Sequence, residues 1–196
     1  MTCGHGCYRV DLTPGRTIGV AIGRFGPTRE TSFVLPRFPR PAVDLVRRLR
    51  KRYRAQTSVQ YLEQLRSDET HAITARWLLE QPDRVKYAIP GGAQGIVVGR
   101  RRWDRTGPRA RWQESAQATL PQPATQWNHE TNAYVIADDG STKTVSFADP
   151  TIPAYFTVTL DAKTVLPRVL HMTAAAHFMT DRYERFNLPR AIFPPR

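Results

Sequence analysis

Apolar side chains recur every three to four residues just after Pro41, and this spacing predicts an amphipathic helix. The apolar positions are Ala42, Leu45, Val46, Leu49 and Tyr53. Arginines occupy the opposite face. Because proline is tolerated in the first turn of a helix, the helix is predicted over residues 41–56.

After this helix the period of the apolar residues shortens toward two, which is typical of strands. Strands are predicted at Ser58–Arg66, Ala72–Glu80, Arg84–Ile89, Gln94–Trp103, Arg109–Leu120, Asn132–Ala137, Lys143–Phe147, Tyr155–Leu160 and Val165–Ala174. Before the helix, extended segments are predicted at Tyr8–Leu12, Arg16–Ile22 and Thr31–Leu35. A polar stretch, residues 121–131, is predicted to cross an end of the sheet.

This order of elements predicts an α+β fold with a curled antiparallel sheet, a half-barrel, covered by one long amphipathic helix. Residues 1–196 are expected to form a single domain. Within it we expect a flexible N-terminus rich in Cys and Gly (1–7), the covering helix (41–56), a β-meander (58–180) and a Pro-rich tail (187–196).

Composition excludes wholesale disorder, because 40% of the residues are hydrophobic and only 23% are charged. No apolar run approaches the ~20 residues that span a bilayer, and the first residues show no secretory signal pattern. The anomaly is a formal net charge of +12. Residues 37–54 hold eight basic side chains and residues 100–111 hold six, each against one aspartate, so these two segments contain the whole net charge.

Two arginine-rich segments favour contact with a polyanion. On the predicted helix the basic residues are Arg47, Arg48, Arg50, Lys51, Arg52 and Arg54, which suit phosphates of anionic lipid or of nucleic acid. Nucleic-acid binders usually add stacking aromatic residues near their basic patch, and only Tyr53 lies among these charges. We therefore place an anionic membrane surface above nucleic acid, with a merely solvated helix face as the alternative.

Aromatic residues are spread through the predicted meander. On a curved sheet they can line a cavity for an apolar ligand, or they can fill an ordinary core. The set is Trp77, Tyr87, Trp103, Trp112, Trp127, Tyr155 and Phe156. The proposed lining of a ligand cavity is Trp77, Tyr87, Trp103, Trp112 and Phe156.

Soft ligands for a metal occur in two places. If residues 171–179 form one extended strand, His171, His177 and Met179 point to one face, where they suit copper; core packing is the alternative. Near the N-terminus, Cys3 and Cys7 flank His5, and a disulfide, a metal site and free thiols all remain open.

The sequence lacks the motifs of common catalytic sites. It has no Gly-x-Ser-x-Gly elbow, no P-loop, no His-Glu-x-x-His and no dinucleotide fingerprint. Asp138 and Asp139 lie in a predicted turn, and His71 lies near Glu69 with no third partner indicated. We therefore expect a protein that is not an enzyme.

Two stretches carry a resemblance to known families. The run Trp77–Tyr87, with Pro82-Asp83-Arg84 at its turn, is followed by Gly95–Trp103 and resembles the lipoprotein-carrier superfamily. That resemblance implies an antiparallel half-barrel around a helix, with acyl chains sheltered in the hollow. The runs Val145–Phe156 and Met172–Tyr183 are similar to the C-terminal extracytoplasmic region of bacterial copper-resistance or copper-transport membrane proteins.

The resemblance implies an oxidising space, which favours a Cys3–Cys7 disulfide, and it admits membrane-spanning segments upstream in a parent protein. No catalytic residue comes with it. The sequence therefore predicts a non-enzymatic extracytoplasmic, membrane-associated domain that binds an apolar or lipid-like ligand. A copper-binding accessory domain is the alternative, and a nucleic-acid binder is the third.

Overall fold

Twelve strands form one antiparallel sheet in this computed structural model, which describes residues 17–22, 29–34, 36–67, 71–174 and 177–195. Two further strands, β1 (Thr17–Ile22) and β2 (Arg29–Val34), pair with each other. The helix is α1 (Val43–Arg54). The strands of the large sheet are β3 (Arg40–Pro41), β4 (Ser58–Arg66), β5 (Ala72–Glu80), β6 (Arg84–Ala88), β7 (Gln94–Val98), β8 (Arg101–Arg105), β9 (Gln113–Ala116), β10 (Thr131–Asp138), β11 (Thr142–Asp149), β12 (Ala154–Asp161), β13 (Pro167–Ala174) and β14 (Phe178–Phe186).

After the short edge strand β3 and the helix, the chain enters the middle of this sheet at β4 and fills it in two passes. From β4 it runs strand by strand to the edge strand β9, crosses to β10 near the other edge, and returns through β11 to β14, which pairs with β4. The long connection, residues 117–130, is here called the crossing segment. The spatial order runs from β3 to β9, so the sheet stays open, as a half-barrel requires.

The two faces of the sheet differ in chemistry because side chains alternate along each strand. On β12, Phe156 and Val158 are fully buried while Tyr155 and Thr157 are half-buried. Residues that are paired across neighbouring strands lie on the same face, so Met172 of β13 and Met179 of β14 share the face of Phe156. We call this the inner face and the opposite one the outer face.

The predicted amphipathic helix is present, with Val46, Leu49 and Tyr53 buried. It begins at Val43 and ends at Arg54, so it is shorter than the predicted 41–56. Pro41 lies instead in β3, where it pairs with Tyr134 of β10. Proline suits an edge strand because it needs no partner for its nitrogen.

Several predicted strands have different bounds in the structure, and the largest change is at Arg109–Leu120, where only β9 (Gln113–Ala116) is a strand. Gln94–Trp103 is split into β7 and β8 by a turn at Gly99, whose φ of 62° suits glycine. The predicted upstream strand Tyr8–Leu12 lies outside the described residues. Within the part of the chain that is described, no helix combines the length and apolar character of a membrane span.

The C-terminal segment packs on the outer face. Ile192 is fully buried with Ile96 and Trp103, and its backbone N–H donates to Glu80, 2.9 Å away. Arg84 donates to the carbonyl oxygen of Ile192 at 2.6 Å. This segment therefore shields the apolar part of the outer face formed by β5 to β8.

Candidate functional site

The inner face carries the main core, which involves strands β10 to β14, the helix and the crossing segment. Val46 and Leu49 of α1 join Phe147, Phe156 and Trp127 there. Phe147 and Phe156 are stacked, with ring centroids 5.1 Å apart. The Trp127 ring lies 5.3 Å from Phe147 and 6.0 Å from Phe156, so the crossing segment inserts an aromatic side chain beneath the helix.

Beyond this core, aromatic rings continue across four neighbouring strands of the inner face. Tyr183 of β14 lies 5.5 Å from Tyr61 of β4, Tyr61 is stacked 6.2 Å from Trp77 of β5, and Trp77 lies 5.0 Å from Tyr87 of β6. We call these four residues the aromatic row. Trp77 and Tyr87 are half-buried, so the row leads from the packed core toward solvent.

The end of the row is shaped by a glycine. Gly95 of β7 pairs with Tyr87, and a Cβ at Gly95 would lie 2.2 Å from Cε1 of the Tyr87 ring. The ring therefore lies flat over a position that admits no side chain. A cleft of about 270 Å³ opens next to Tyr87, with Asp104, Arg105 and Arg111 among its lining residues.

The structure separates the five residues proposed to line one cavity. Trp77 and Tyr87 are half-buried on the inner face, whereas Phe156 is fully buried between neighbouring rings. Trp103 pairs with Ile96 and belongs, with Trp112, to the outer cluster around Ile192. The prediction that all five share one hollow is therefore wrong for Trp103 and Trp112, because the alternation of β8 turns Trp103 outward.

The crossing segment is anchored at its end by Asp149, which is fully buried on the inner face of β11. Its Oδ2 accepts hydrogen bonds from the backbone N–H groups of Asn128 (2.7 Å) and His129 (3.0 Å), and its Oδ1 accepts two from Thr151. Burial alone would raise the pKa of Asp149, but these hydrogen bonds outweigh it and lower the pKa below its ordinary value.

A second anchor joins the crossing segment to the helix. Glu130, whose side chain is only 4% exposed, lies 3.1 Å from Arg47 Nε and 2.9 Å from Arg50 Nη1. Arg50 also donates to the carbonyl oxygen of Asn128. Arg54 donates to Thr125 at 3.4 Å, a weak contact. These contacts hold the helix and the crossing segment to each other, and both pack on the core of the inner face. We call the two together the cover.

A buried carboxyl group lies where this cover meets the sheet. Asp181 of β14 is fully buried on the inner face and pairs with Glu63 of β4. Neither of its carboxyl oxygens has a hydrogen bond of good geometry, and the Gln126 side chain makes only a weak one. Burial, with the Glu63 carboxylate adding to it and Gln126 offsetting it in part, raises the pKa of Asp181 to about 8.

The helical basic residues proposed to contact an anionic surface divide into two groups. Arg47, Arg50 and Arg54 are engaged by the crossing segment, as described above. The basic side chains that point away from the sheet and form no ion pair within the described part of the chain are Arg48, Lys51 and Arg52. A surface cleft of about 480 Å³ is lined by four of the basic residues of this helix, Arg47, Arg50, Lys51 and Arg54.

The second basic segment, residues 100–111, is neutralised in part by its own neighbours. Arg101 donates a bidentate pair of hydrogen bonds to Glu114, at 2.7 and 3.0 Å. Arg102 donates a similar pair to Asp104, at 2.6 and 2.9 Å. The Arg105 guanidinium lies 4.4 Å from the centre of the Trp112 ring. Arg100, Arg109 and Arg111 are exposed and form no ion pair within the described residues, so this segment keeps unpaired basic side chains, as the helix does.

The proposed copper ligands do not share a face. The chain turns between β13 and β14, so residues 171–179 are not one continuous strand. His171 pairs with Thr180, 3.0 Å away, and is exposed on the outer face, whereas Met179 pairs with Met172 in the inner core. The prediction that His171, His177 and Met179 point to one face is therefore wrong. The N-terminal set Cys3, His5 and Cys7 lies outside the described residues.

Four residues of this site were not predicted from the sequence: Asp149, Asp181, Tyr61 and Tyr183. Alternation along β4 places Tyr61 and Glu63 on the same face as Val59, and this signal was present in the sequence. Asp181 and Tyr183 lie on β14. This strand was not predicted, because residues 171–179 were considered as one extended strand.

Comparison with known proteins identifies relatives in fold. No protein-family profile and no curated protein matches the sequence. The crystal structure of LprF from Mycobacterium bovis matches with a TM-score of 0.50 at 11% identity, covering 79% of this chain and 96% of that one. This likeness concerns the fold alone.

Two further crystal structures are more distant. The LolA superfamily protein NE2245 from Nitrosomonas europaea has a TM-score of 0.35 at 8% identity, covering 74% of this chain and 94% of its own. A DUF1329 family protein from Desulfovibrio piger has a TM-score of 0.39 at 7% identity, covering 78% and 96%.

Proposed function

We propose that this protein is a non-enzymatic extracytoplasmic domain that binds an apolar or lipid-like ligand on the inner face of its sheet. The observation that supports it most is the aromatic row, which continues the apolar core to half-buried rings at Trp77 and Tyr87. Aromatic side chains offer large apolar areas, and each Å² removed from water contributes ~25 cal/mol.

The ligand enters where the cover is held by few apolar contacts. Trp127 is the aromatic side chain that the crossing segment places in the core, against Phe147 and Phe156. The other anchors of the crossing segment described above, at Asp149 and Glu130, are polar. Displacing Trp127 would open a path from Tyr87 to these phenylalanines, and an acyl chain would replace its contacts.

The helix supplies a means of orienting the domain on an anionic membrane surface. Arg48, Lys51 and Arg52 project from the side of α1 that faces away from the sheet. Near an anionic leaflet each basic side chain contributes about 1 kcal/mol. The same surface would then hold the domain beside the source of its ligand.

A fluorescent fatty acid tests the ligand-binding proposal. Titration with cis-parinaric acid is expected to give saturable binding that Tyr87→Ser weakens about tenfold, because an aromatic surface of the inner face is lost. Trp112→Ser is the matched control, since Trp112 is equally half-buried but lies in the outer cluster. Equal weakening by both variants, or no saturable binding by the wild type, would contradict the proposal.

Vesicle binding tests the membrane contact separately. Replacing Arg48, Lys51 and Arg52 with glutamine is expected to weaken binding to phosphatidylglycerol vesicles about hundredfold at low salt. The control replaces Arg100, Arg109 and Arg111, three exposed basic residues of the second segment. If the control loses as much affinity as the helix variant, binding reflects net charge and the proposed orientation is wrong.

A further inference from the structure

The carboxyl group of Asp181 is the buried polar group that the proposed ligand contacts leave unexplained. It has no exposed surface, and the one side chain that hydrogen-bonds toward it, Gln126, offsets the effect of burial only in part. A carboxylate in such a place is disfavoured, because burial removes its hydration and its protein surroundings replace little of it. The closed interior therefore favours the protonated form of Asp181.

Every element that closes the inner face contacts the surroundings of this group. The helix contributes Tyr53, whose ring lies 5.8 Å from Tyr183 of β14. The crossing segment contributes Gln126, whose side chain hydrogen-bonds toward Asp181 and toward Tyr61 of β4. Asp181 thus marks the junction of the cover with the sheet.

The groups facing Asp181 do not neutralise it. On β4 its cross-strand neighbour is Glu63, a like charge, and on β13 it is the apolar Leu170. The other titratable groups are Tyr53, Tyr61 and Tyr183, and burial raises the pKa of each well above its ordinary value. These tyrosines stay neutral in the range in which Asp181 loses its proton.

We propose that the proton on Asp181 is a latch that keeps the helix and the crossing segment closed over the inner face, so that loss of this proton promotes opening. In the open state the carboxylate would be hydrated and would ionise near the ordinary value for aspartate, about 4. In the closed state burial holds the proton until about pH 8. The proposal deepens the proposed function by giving the regulation of the same face.

The direction of the pH dependence follows from the difference in bound protons between the closed and the open state. Between about pH 4 and pH 8 the closed state binds a proton that the open state does not, so the open fraction rises tenfold for each pH unit. Above about pH 8 both states are ionised, and the opening equilibrium becomes independent of pH. Removing the like charge of Glu63 eases ionisation of Asp181 and moves this levelling to lower pH.

Amide hydrogen exchange of the ligand-free protein tests the latch. Protection factors of the Asn128 and His129 amides, corrected for the intrinsic effect of pH, are expected to fall about tenfold per pH unit between pH 6 and 8. Asp181→Asn, which resembles the protonated acid, should make this profile flat. Glu184→Gln removes an exposed carboxylate of the same strand and should leave the slope unchanged.

Amides of β6 and β7, far from the cover in strand order, report whether each variant is folded. Glu63→Gln provides a second test. In this variant the protection factors should fall with pH as steeply as in the wild type, but the fall should level off at a lower pH. A flat wild-type profile, or an equal slope in Asp181→Asn, overturns the latch. Neither result bears on the fatty-acid titration, so failure of the latch and failure of the proposed function are distinguishable.

Discussion

At the scale of single residues, close contacts decide which side chains are available to a ligand. Tyr87 stays half-buried on the inner face because Gly95 beneath it has no side chain, and the ring covers that backbone. Phe156, by contrast, is enclosed by Phe147 and Trp127. Aromatic residues of similar chemistry therefore have different roles, and the difference lies in their neighbours.

The contact between Tyr87 and Gly95 can be tested directly. Gly95→Ala is expected to destabilise the protein by about 1–3 kcal/mol, because the new Cβ forces the Tyr87 ring away. In a Tyr87→Ala background the penalty should vanish, since the obstructing ring is absent. Chemical denaturation of the single and double variants measures both values.

Gly107 offers the matched control, because a Cβ there would meet nothing within 4 Å. Gly107→Ala should leave the free energy of unfolding within about 0.5 kcal/mol of the wild type. A Gly95→Ala penalty that persists without Tyr87 would show that the ring does not cause it.

At the scale of elements, the cover depends on a few polar anchors. The crossing segment has no regular secondary structure, so its backbone groups need partners from elsewhere. Asp149 supplies two of them and is fully buried in doing so. Since its pKa is lowered, the stability that it contributes is present above about pH 4 and is lost as the pH falls through that lowered value.

Removing this anchor should loosen the segment. Asp149→Ala removes a charged acceptor of four hydrogen bonds and is expected to destabilise the protein by about 3 kcal/mol. Exchange of the Asn128 and His129 amides should accelerate, and Trp127 fluorescence should shift to the red. Asp139→Ala is the control, because Asp139 also accepts four hydrogen bonds but lies in an exposed hairpin. Equal acceleration in both variants would contradict the anchoring role.

Much of this element scale was predictable from the sequence. Alternation placed β4 and β5 at their observed bounds, and the three-to-four spacing predicted the buried face of α1. The start of the helix was not predictable, because Pro41 is drawn into β3 by its pairing with Tyr134. The turn between β13 and β14 was missed because the residues on both sides are equally apolar.

At the scale of the whole molecule, the sequence left two properties undecided. The face of each aromatic residue depends on register across several strands, so Trp103 and Trp77 cannot be assigned to opposite faces without the pairing. Likewise, the net charge of +12 divides into two segments, but only the ion pairs seen in the structure show which basic side chains are unpaired. Glu114 and Asp104 pair with Arg101 and Arg102 of the second segment, and Glu130 pairs with Arg47 and Arg50 of the helix. Both segments therefore keep exposed basic residues without an ion pair in the described part of the chain.

Placement of the ligand on the inner face is the central claim, and tryptophan quenching tests it most directly. Trp77 and Trp127 lie on the inner face, whereas Trp103 and Trp112 belong to the outer cluster. Versions of the protein that retain one of these tryptophans, with phenylalanine at the other three positions, would be titrated with a brominated stearic acid. We predict saturable quenching of Trp77 and Trp127, and none of Trp103. Quenching of Trp103 equal to that of Trp77, or quenching of no tryptophan, would contradict the account.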